Sequence, residues 1–249
     1  MQLQDVIANM DPISLDEMDS VKLMNRTDTK FGFSASLLPE ILKACSNDYR
    51  ILEVNTVRAS AYRTLYFDTP DHQLYLDHHK GKPYRFKIRI RNYIESNLFY
   101  LEVKVKVKGR TVKSRIKLSG FETELSEKSR AFIEKATGEK LNLVPVLWNG
   151  FHRVTLINRK EKERLTIDFG LNFENMKGEK EDVGSLIIAE VKQENRSRSS
   201  KIINVLRQYG IRESGMSKYC VGTALIEKEL KSNNFKSKLL AIEKIKKAA

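Results

Sequence analysis

Between Tyr84 and Leu118 basic residues recur at every second position along three successive runs of the chain. Arg85, Lys87, Arg89 and Arg91 form the first series. Lys104, Lys106 and Lys108, headed by Glu102, form the second, and Lys113, Arg115 and Lys117 the third. The residues between them are mostly apolar: Phe86, Ile88 and Ile90, then Val103, Val105 and Val107, then Val112, Ile116 and Leu118. Successive side chains of a strand point to opposite faces, so each series occupies one face of its strand. Same-face residues on neighbouring antiparallel strands lie roughly 5 Å apart, where like charges repel. The solvated face of a one-sided sheet alternates in the same way. Three adjoining cationic strands favour instead a surface whose repulsion a polyanion relieves.

Other residues with chemical potential lie on similar patterns. Lys30 alternates with Arg26 and Asp28 in NRTDTKFGF, residues 25–33, and an ion pair with Arg26 or another cation suits Asp28. Arg153 and Arg164 fall in two later strand-like runs, and Asp168 shares the face of Arg164. Glu190 and Lys192 are charges on the Leu186 and Ile188 face of an otherwise apolar run. Three of the four histidines, His72, His78 and His79, cluster without a zinc-binding spacing. No Ser–His or Cys–His arrangement suggests nucleophilic catalysis.

The elements that must position these residues can be read in order. Residues 1–24 read as a helical lead-in with a capping box at Ser14 and Glu17 and an apolar stripe of Leu15, Met18 and Leu23. After the strand at 25–33, Ser36 is placed to cap a helix over 37–47, with Pro39 in its first turn. A strand at 61–68 precedes a turn-rich stretch, 69–83, that holds the three histidines. The cationic strands follow. Next come a helix from Ser126 to Gly138, a loop over 139–150 and strands at 151–158 and 163–169. A polar hairpin at 172–184 leads into SLIIAEVKQE. Helices at 199–209 and from Ser217 follow, and the lysine-rich tail at 231–249 reads as a basic amphipathic helix or a frayed end.

The tally is an α+β chain of about eight strands, mostly antiparallel, with flanking helices. Either a sheet with a wet face or a closed barrel with a charged lumen fits, and closure removes exposed edges. The length of 249 residues and an apolar fraction of 41% suit one sizeable domain, 1–230, with the tail as an appendage. A net charge of +13 points to nucleic acid, phosphate-rich ligands or an anionic membrane surface. Two distant cysteines, Cys45 and Cys220, exclude a disulfide framework and suit a reducing compartment. The acidic N-terminus is unlike a signal peptide, and no run approaches the roughly 20 apolar residues of a membrane helix. The expected location is the cytoplasm, with the inner face of the membrane as a docking place.

RTDTKF, YFDT, FKIRIRNY, LEVKVKVKGRTVKSRIKL, the RVTL and ERLTIDF pair, IIAEVKQ and SKY are each weak signals. In this order and spacing they make the chain resemble the catalytic domain of the vacuolar transporter chaperone (VTC) family, in its bacterial polyphosphate-polymerase-like form. The resemblance implies a triphosphate tunnel metalloenzyme fold, an antiparallel barrel of about eight strands around a basic tunnel. It implies ATP as donor, inorganic polyphosphate as acceptor and a divalent metal, manganese by preference with magnesium as the substitute. Lys30, Arg89, Arg91, Lys104, Lys113, Arg153, Arg164 and Lys218 then resemble the family's catalytic cations. Arg115, Lys192, Ser217 and Glu102 are assigned to substrate binding, with Arg115 a close competitor of Lys113. Glu190 resembles the metal-binding glutamate, and Asp168 and Glu102 are further candidates near the metal.

Three departures stand out. Phe151 replaces a family tyrosine, Gly215 replaces a family lysine, and the ExExK signature of the tunnel triphosphatases is missing around Arg26, Asp28 and Lys30. The last disfavours a thiamine-triphosphatase or cyclase role. Arginine forks and lysine point charges suit phosphoryl transfer, which needs positioning and charge stabilisation more than covalent chemistry. A polymerase is therefore the leading expectation. A triphosphate or short-polyphosphate hydrolase and a non-catalytic polyphosphate-binding module are the competitors. Nucleic acid is not expected, because its single-strand binders set aromatics among the basic residues. The basic tail is a candidate contact for a membrane-protein partner, and the oligomeric state is left open.

Overall fold

The two-residue alternation of charged and apolar side chains is realised as one curled sheet. The computed structural model describes residues 2–19, 27–195, 197 and 199–248. Leu23 and Arg26, including the proposed pairing of Arg26 with Asp28, lie outside the described residues. The chain begins α1 (Leu3–Ala8), β1 (Pro12–Ile13), α2 (Leu15–Asp19), β2 (Thr27–Ser34), α3 (Leu38–Cys45), β3 (Tyr49–Leu52), β4 (Ser60–Asp68) and α4 (Gln73–His79). The cationic strands are β5 (Arg85–Tyr93), β6 (Leu98–Val107) and β7 (Arg110–Leu118), followed by α5 (Glu127–Thr137). Then come β8 (Val144–Asn158), β9 (Glu163–Asn175), β10 (Lys180–Asp182), β11 (Leu186–Gln193), α6 (Lys201–Gln208), α7 (Lys218–Ile226) and α8 (Lys236–Lys247).

Eight strands follow one pairing path, β2-β11-β9-β8-β4-β5-β6-β7, with antiparallel neighbours throughout. The path ends at β2 and β7, so the sheet is a half-barrel rather than a ring closed by hydrogen bonds. β10 extends β9, and β3 joins β8 to the short parallel strand β1. The edge of β2 is covered by the segment before α7: Phe31 bridges Glu213, and the Ser214 N–H donates to the Lys30 carbonyl at 2.7 Å. Pairing groups with such a segment blunts an edge that would otherwise template foreign strands.

Curling gives the sheet an apolar convex face and a charged concave one. On the convex side Ile41 and Leu42 of α3 and Ile202 and Leu206 of α6 pack with Phe31, Leu156, Leu165 and Ala189. Ile133 of α5 packs with Ile88, Ile90, Leu101 and Val103. Full burial of such a side chain contributes about 1.5–3 kcal/mol. α7 is different, because Tyr219, Val221, Thr223 and Leu225 are buried along with Cys220, Gly222 and Ala224, leaving no wet face. It fills one end of the half-barrel, where a Cβ on Gly222 would stand 2.4 Å from the Phe173 ring. A helix apolar all round is a buried helix. No helix among the described residues is long and apolar enough to cross a membrane.

Several expectations change in detail. The histidine stretch is not all turn: α4 forms there, and His78 and His79 lie on it. Asp68 makes it possible by accepting from the N–H groups of Thr69, Leu74 and Tyr75. The 139–150 loop ends early, since β8 starts at Val144 and Pro145 sits beside a register shift opposite Phe67. β3 was not expected. Ser34, not Ser36, accepts the capping bond at the entry to the α3 region. Lys108 leaves the cationic face, because Lys108 and Gly109 make a tight turn at φ 44° and 87°, the two-residue hairpin geometry that matches strand twist. The Ser14–Glu17 box forms as expected, with bonds of 2.9 and 3.2 Å.

Candidate active site

The concave face encloses a cavity of about 550 Å³ to which all eight strands of the main path contribute. Its lining includes eleven lysines and arginines against four acids. The sequence-derived set converges there: Lys30, Arg89, Arg91, Lys104, Lys113, Arg115, Arg153, Arg164, Glu190, Lys192, Ser217 and Lys218 all line the same space. Glu102 lies behind the lining, fully buried. Lys87 joins the wall and was legible in the alternation, although nothing singled it out. Tyr62 and Tyr66, which share a face of their strand by alternation, and Thr166 also line the space, and none of the three was singled out by the sequence.

Three carboxylates each hold two cations. Glu102 pairs with Arg89 at 2.7 Å and with Lys113. This follows from register, because Arg89 and Arg115 flank Glu102 on β5 and β7 while Lys113 is one pleat away. Asp168 takes two bonds from Arg153, at 2.5 and 2.8 Å, and one from Lys218. Glu190 stands 2.9 Å from Lys192 and 4.0 Å from Lys30, its β2 neighbour. Burial alone would raise each carboxyl. The cations more than reverse this: Arg89, Arg91 and Lys113 for Glu102, Arg153 and Lys218 for Asp168, and Lys192 and Lys30 for Glu190. All three stay well below the usual carboxylate range and are ionised at neutral pH.

The carboxylates do not offset the whole of the cationic lining. Lys87, Lys104 and Lys113 face one another in a row across β5, β6 and β7. Lys104 is held well below the ordinary lysine value, first by Arg89 and then by burial. Burial lowers Lys87 to about 8, and Lys30 and Arg89 add to the effect. Lys192 and Lys218 are likewise lowered to about 8 by burial, against the pull of Glu190 and Asp168 respectively. Arg91 has only a long 3.4 Å contact with the Thr64 hydroxyl and lies 5.5 Å from the Tyr62 ring centre. Phe151 stacks on Tyr62 at 5.0 Å, and Lys218 sits 4.6 Å over the Phe151 ring. The phenylalanine thus keeps a cation–π role without a hydroxyl. Arg115 covers Tyr100 at 4.7 Å.

Ser217 caps α7 by accepting from the Cys220 N–H. Near it, Gly215 leaves a gap: among the described residues beyond its two neighbours, a Cβ there would meet the Lys238 ammonium alone, at 3.8 Å. The histidines take no part in the cavity. His78 bonds the Phe86 carbonyl and Arg85, and His79 accepts from the Asn234 N–H. Among the described residues no set of three His, Cys, Asp or Glu side chains is grouped to hold a metal. Glu190 does fit as a single hard-oxygen ligand, because its ionised carboxylate lines open space and is 20% exposed. Magnesium-type ions are commonly held by one or two carboxylates together with substrate phosphates.

A half-barrel of antiparallel strands whose concave face carries eleven cations against four acids is consistent with the triphosphate-tunnel fold. The chain belongs to the VTC domain family, whose domain matches residues 25–227. Among solved structures, a candidate adenylyl cyclase from Hippeastrum, described as having a dominant triphosphatase activity, is 18% identical with a TM-score of 0.50. The match covers 81% of this chain and 96% of that one. A candidate adenylate cyclase from Vibrio parahaemolyticus is 11% identical, with a TM-score of 0.46 and coverage of 79% and 96%. One from Bacillus halodurans is 13% identical, with a TM-score of 0.45 and coverage of 78% and 96%. These likenesses concern the fold. No curated protein matches the sequence.

Proposed function

We propose that the protein is an ATP-dependent polyphosphate polymerase that passes the terminal phosphoryl group of ATP to a polyphosphate chain lying in the cavity. The observation that carries this reading is the condition of the carboxylates. Glu102, Asp168 and Glu190 are each pinned by two cations and held far below neutrality. A general base works best with a pKa near the working pH, so none of the three is suited to deprotonate water. An anionic phosphate end needs no base at all. Transfer to phosphate uses neither these carboxylates nor the lysines lowered to about 8, Lys87, Lys192 and Lys218, as a base, and this supports the polymerase reading; hydrolysis would have to draw its base from those lysines.

In the proposed step an oxygen of the acceptor's terminal phosphate forms a bond to the γ-phosphorus of ATP. The bond from that phosphorus to the β,γ-bridging oxygen breaks, and ADP leaves with the electron pair. No proton has to move. Charge on the transferred group spreads over its equatorial oxygens. Arg89 and Arg153 are preset by Glu102 and Asp168 to receive such oxygens, since a fork already held in place loses less freedom on binding. Lys87, Lys104 and Arg91 supply the positive charge that the protein leaves uncompensated, and a cavity lined by one sign of charge concentrates its counter-ion. A divalent metal bound through Glu190 and phosphate oxygens would add Lewis-acid stabilisation of the same charge.

The test is incubation of the pure protein with ATP and manganese, with and without a short polyphosphate primer, following ADP and polymer together. Polymer growth matching ADP release is the expected result. ADP and orthophosphate without polymer would replace the polymerase with a hydrolase. Tight, salt-sensitive polyphosphate binding without turnover would leave a binding module.

A further inference from the structure

We infer that the anion track continues beyond the α7 end of the cavity onto Lys238 of α8, so that a phosphate chain longer than the cavity is also held by the C-terminal tail. This rests on the phosphate-chain reading above, and it concerns a part of the chain outside the residues matched to the family domain, 25–227.

The tail is fixed in place. Phe235 and Ile242 are buried in the same apolar cluster as Tyr219 and Leu225 of α7. The Tyr75 hydroxyl donates to the Lys231 carbonyl at 3.0 Å, and the Asn234 side chain donates to the His79 carbonyl at 2.9 Å. Lys246 pairs with Glu181 on β10. The position of Lys238 is therefore set by the fold.

Lys238 is also unlike the other lysines of its helix. Lys236, Lys244 and Lys247 are exposed, as expected of a solvated face. Lys238 and Lys246 are half-buried. Lys246 has its carboxylate, whereas among the described residues no carboxylate pairs with Lys238, which lies 5.6 Å from the Phe235 ring centre. A half-buried cation held this way retains binding capacity for an anion.

Its ammonium is placed where the chain leaves a gap. Gly215 has no side chain, and among the described residues, its own two neighbours aside, the Lys238 Nζ is the one atom a Cβ there would approach within 4 Å. The next residue, Met216, lines the cavity, and its carbonyl accepts from the Lys30 Nζ at 3.4 Å. One ammonium, inside the cavity, thus bonds Met216, and the other, on the tail, stands beside the space a side chain at the neighbouring Gly215 would take. Lys30 and Lys238 both stand at the Gly215–Met216 segment, one of them in the cavity lining.

Binding of two anions separates the possibilities: inorganic tripolyphosphate, which is short enough to stay in the cavity, and long-chain inorganic polyphosphate. Each is titrated into the full chain over a range of salt concentrations. Lys238→Ala should weaken long-chain binding about five-fold, as expected for one lost charged contact. It should also reduce the magnitude of the salt slope by about one counter-ion, and leave tripolyphosphate affinity where it was. Gly215→Lys in the Lys238→Ala background should restore the long-chain affinity, because it returns an ammonium to the gap from the other side. Unchanged long-chain binding in Lys238→Ala overturns the inference. So does an equal loss for both anions, or a failure of Gly215→Lys to rescue. Arg91→Ala is the control: if it weakens tripolyphosphate while Lys238→Ala changes nothing, only the tail contact falls. If Arg91→Ala leaves tripolyphosphate binding intact, the cavity reading and the tail contact fall together.

Discussion

The two walls of the cavity are built from the same residue types in different balance. The wall of β5, β6 and β7 turns six basic side chains toward the space, with two carboxylates, Glu95 in the lining between β5 and β6 and Glu102 buried behind it. The facing wall of β8, β9, β11 and β2, with the start of α7, carries five basic side chains and three acids, Asp28, Asp168 and Glu190. One wall stores repulsion and the other is closer to balance. Stored repulsion is released when an anion binds, so the first wall contributes affinity. A better balanced, hydrogen-bonded wall gains less from binding but fixes its side chains in place, which is what catalysis by positioning requires.

The largest expected effect breaks the balanced wall. Asp168→Asn leaves Arg153 and Lys218 without the anion that now holds both, with the Asp168 side chain only 4% exposed. Breaking a buried pair in this way destabilises by about 3–5 kcal/mol. Urea unfolding of the variant should show that loss without ligand. Saturating polyphosphate should return part of it, because a ligand of the native state stabilises by mass action. A loss under about 1 kcal/mol would mean that the second wall is no more balanced than the first.

The contrast between the walls was only half legible in the sequence. Lys87, Arg89, Arg91, Lys104 and Lys113 announce themselves by strict alternation, and once the strands pair, the place of Glu102 among them follows from register. Asp168 and Lys218 do not meet in any local pattern. They are fifty residues apart, and their contact exists because α7, buried all round, enters the end of the half-barrel. α4 was hidden for a related reason. His72 precedes it in a left-handed conformation, and its first-turn N–H groups are satisfied by Asp68 at the end of a strand. Turn residues such as Pro70 and Gly81 dominate the local signal. The early start of β8 was masked by Pro145, tolerated because it sits at an irregularity in the ladder. The contact of Lys238 with the gap at Gly215 has no sequence signature at all.

On the surplus wall a deletion should act with the opposite sign. Lys104 faces Lys87 and Lys113 and is depressed chiefly by Arg89. Lys104→Met keeps much of the side-chain volume and removes the repulsion. Without ligand it should stabilise the protein by about 1 kcal/mol, a rise in Tm of roughly 2–4 °C for a chain of this size. Tripolyphosphate affinity should fall by about ten-fold or more, the loss of a charge-assisted contact in a partly desolvated site. Thermal unfolding with and without tripolyphosphate measures both. Destabilisation without ligand would show that Lys104 is compensated and that the two walls do not differ.

The smallest effect is one of pH, and it ties the walls together. Lys87 on one wall and Lys192 and Lys218 on the other are lowered to about 8 from an ordinary value of 10.5, mainly by burial. Between those values the unfolded chain carries protons that the native cavity has released. Unfolding then takes up protons, and this contribution to stability rises with pH, its penalty being fully present below about pH 8. Anion binding runs the other way, since it needs the protonated ammoniums and weakens as they titrate. The window should stop near pH 8.5, because Cys45, raised by burial from 9.0 to about 12, contributes in the opposite sense around and above its ordinary value, and Tyr62, also raised by burial, does so at higher pH. From pH 7.5 to 8.5 the parent should therefore gain Tm relative to Lys87→Met by about 2 °C without ligand. Over the same range the parent should lose tripolyphosphate affinity more steeply than Lys87→Met. Two slopes of the same sign would mean that Lys87 titrates outside this window and that its wall holds no charge in reserve.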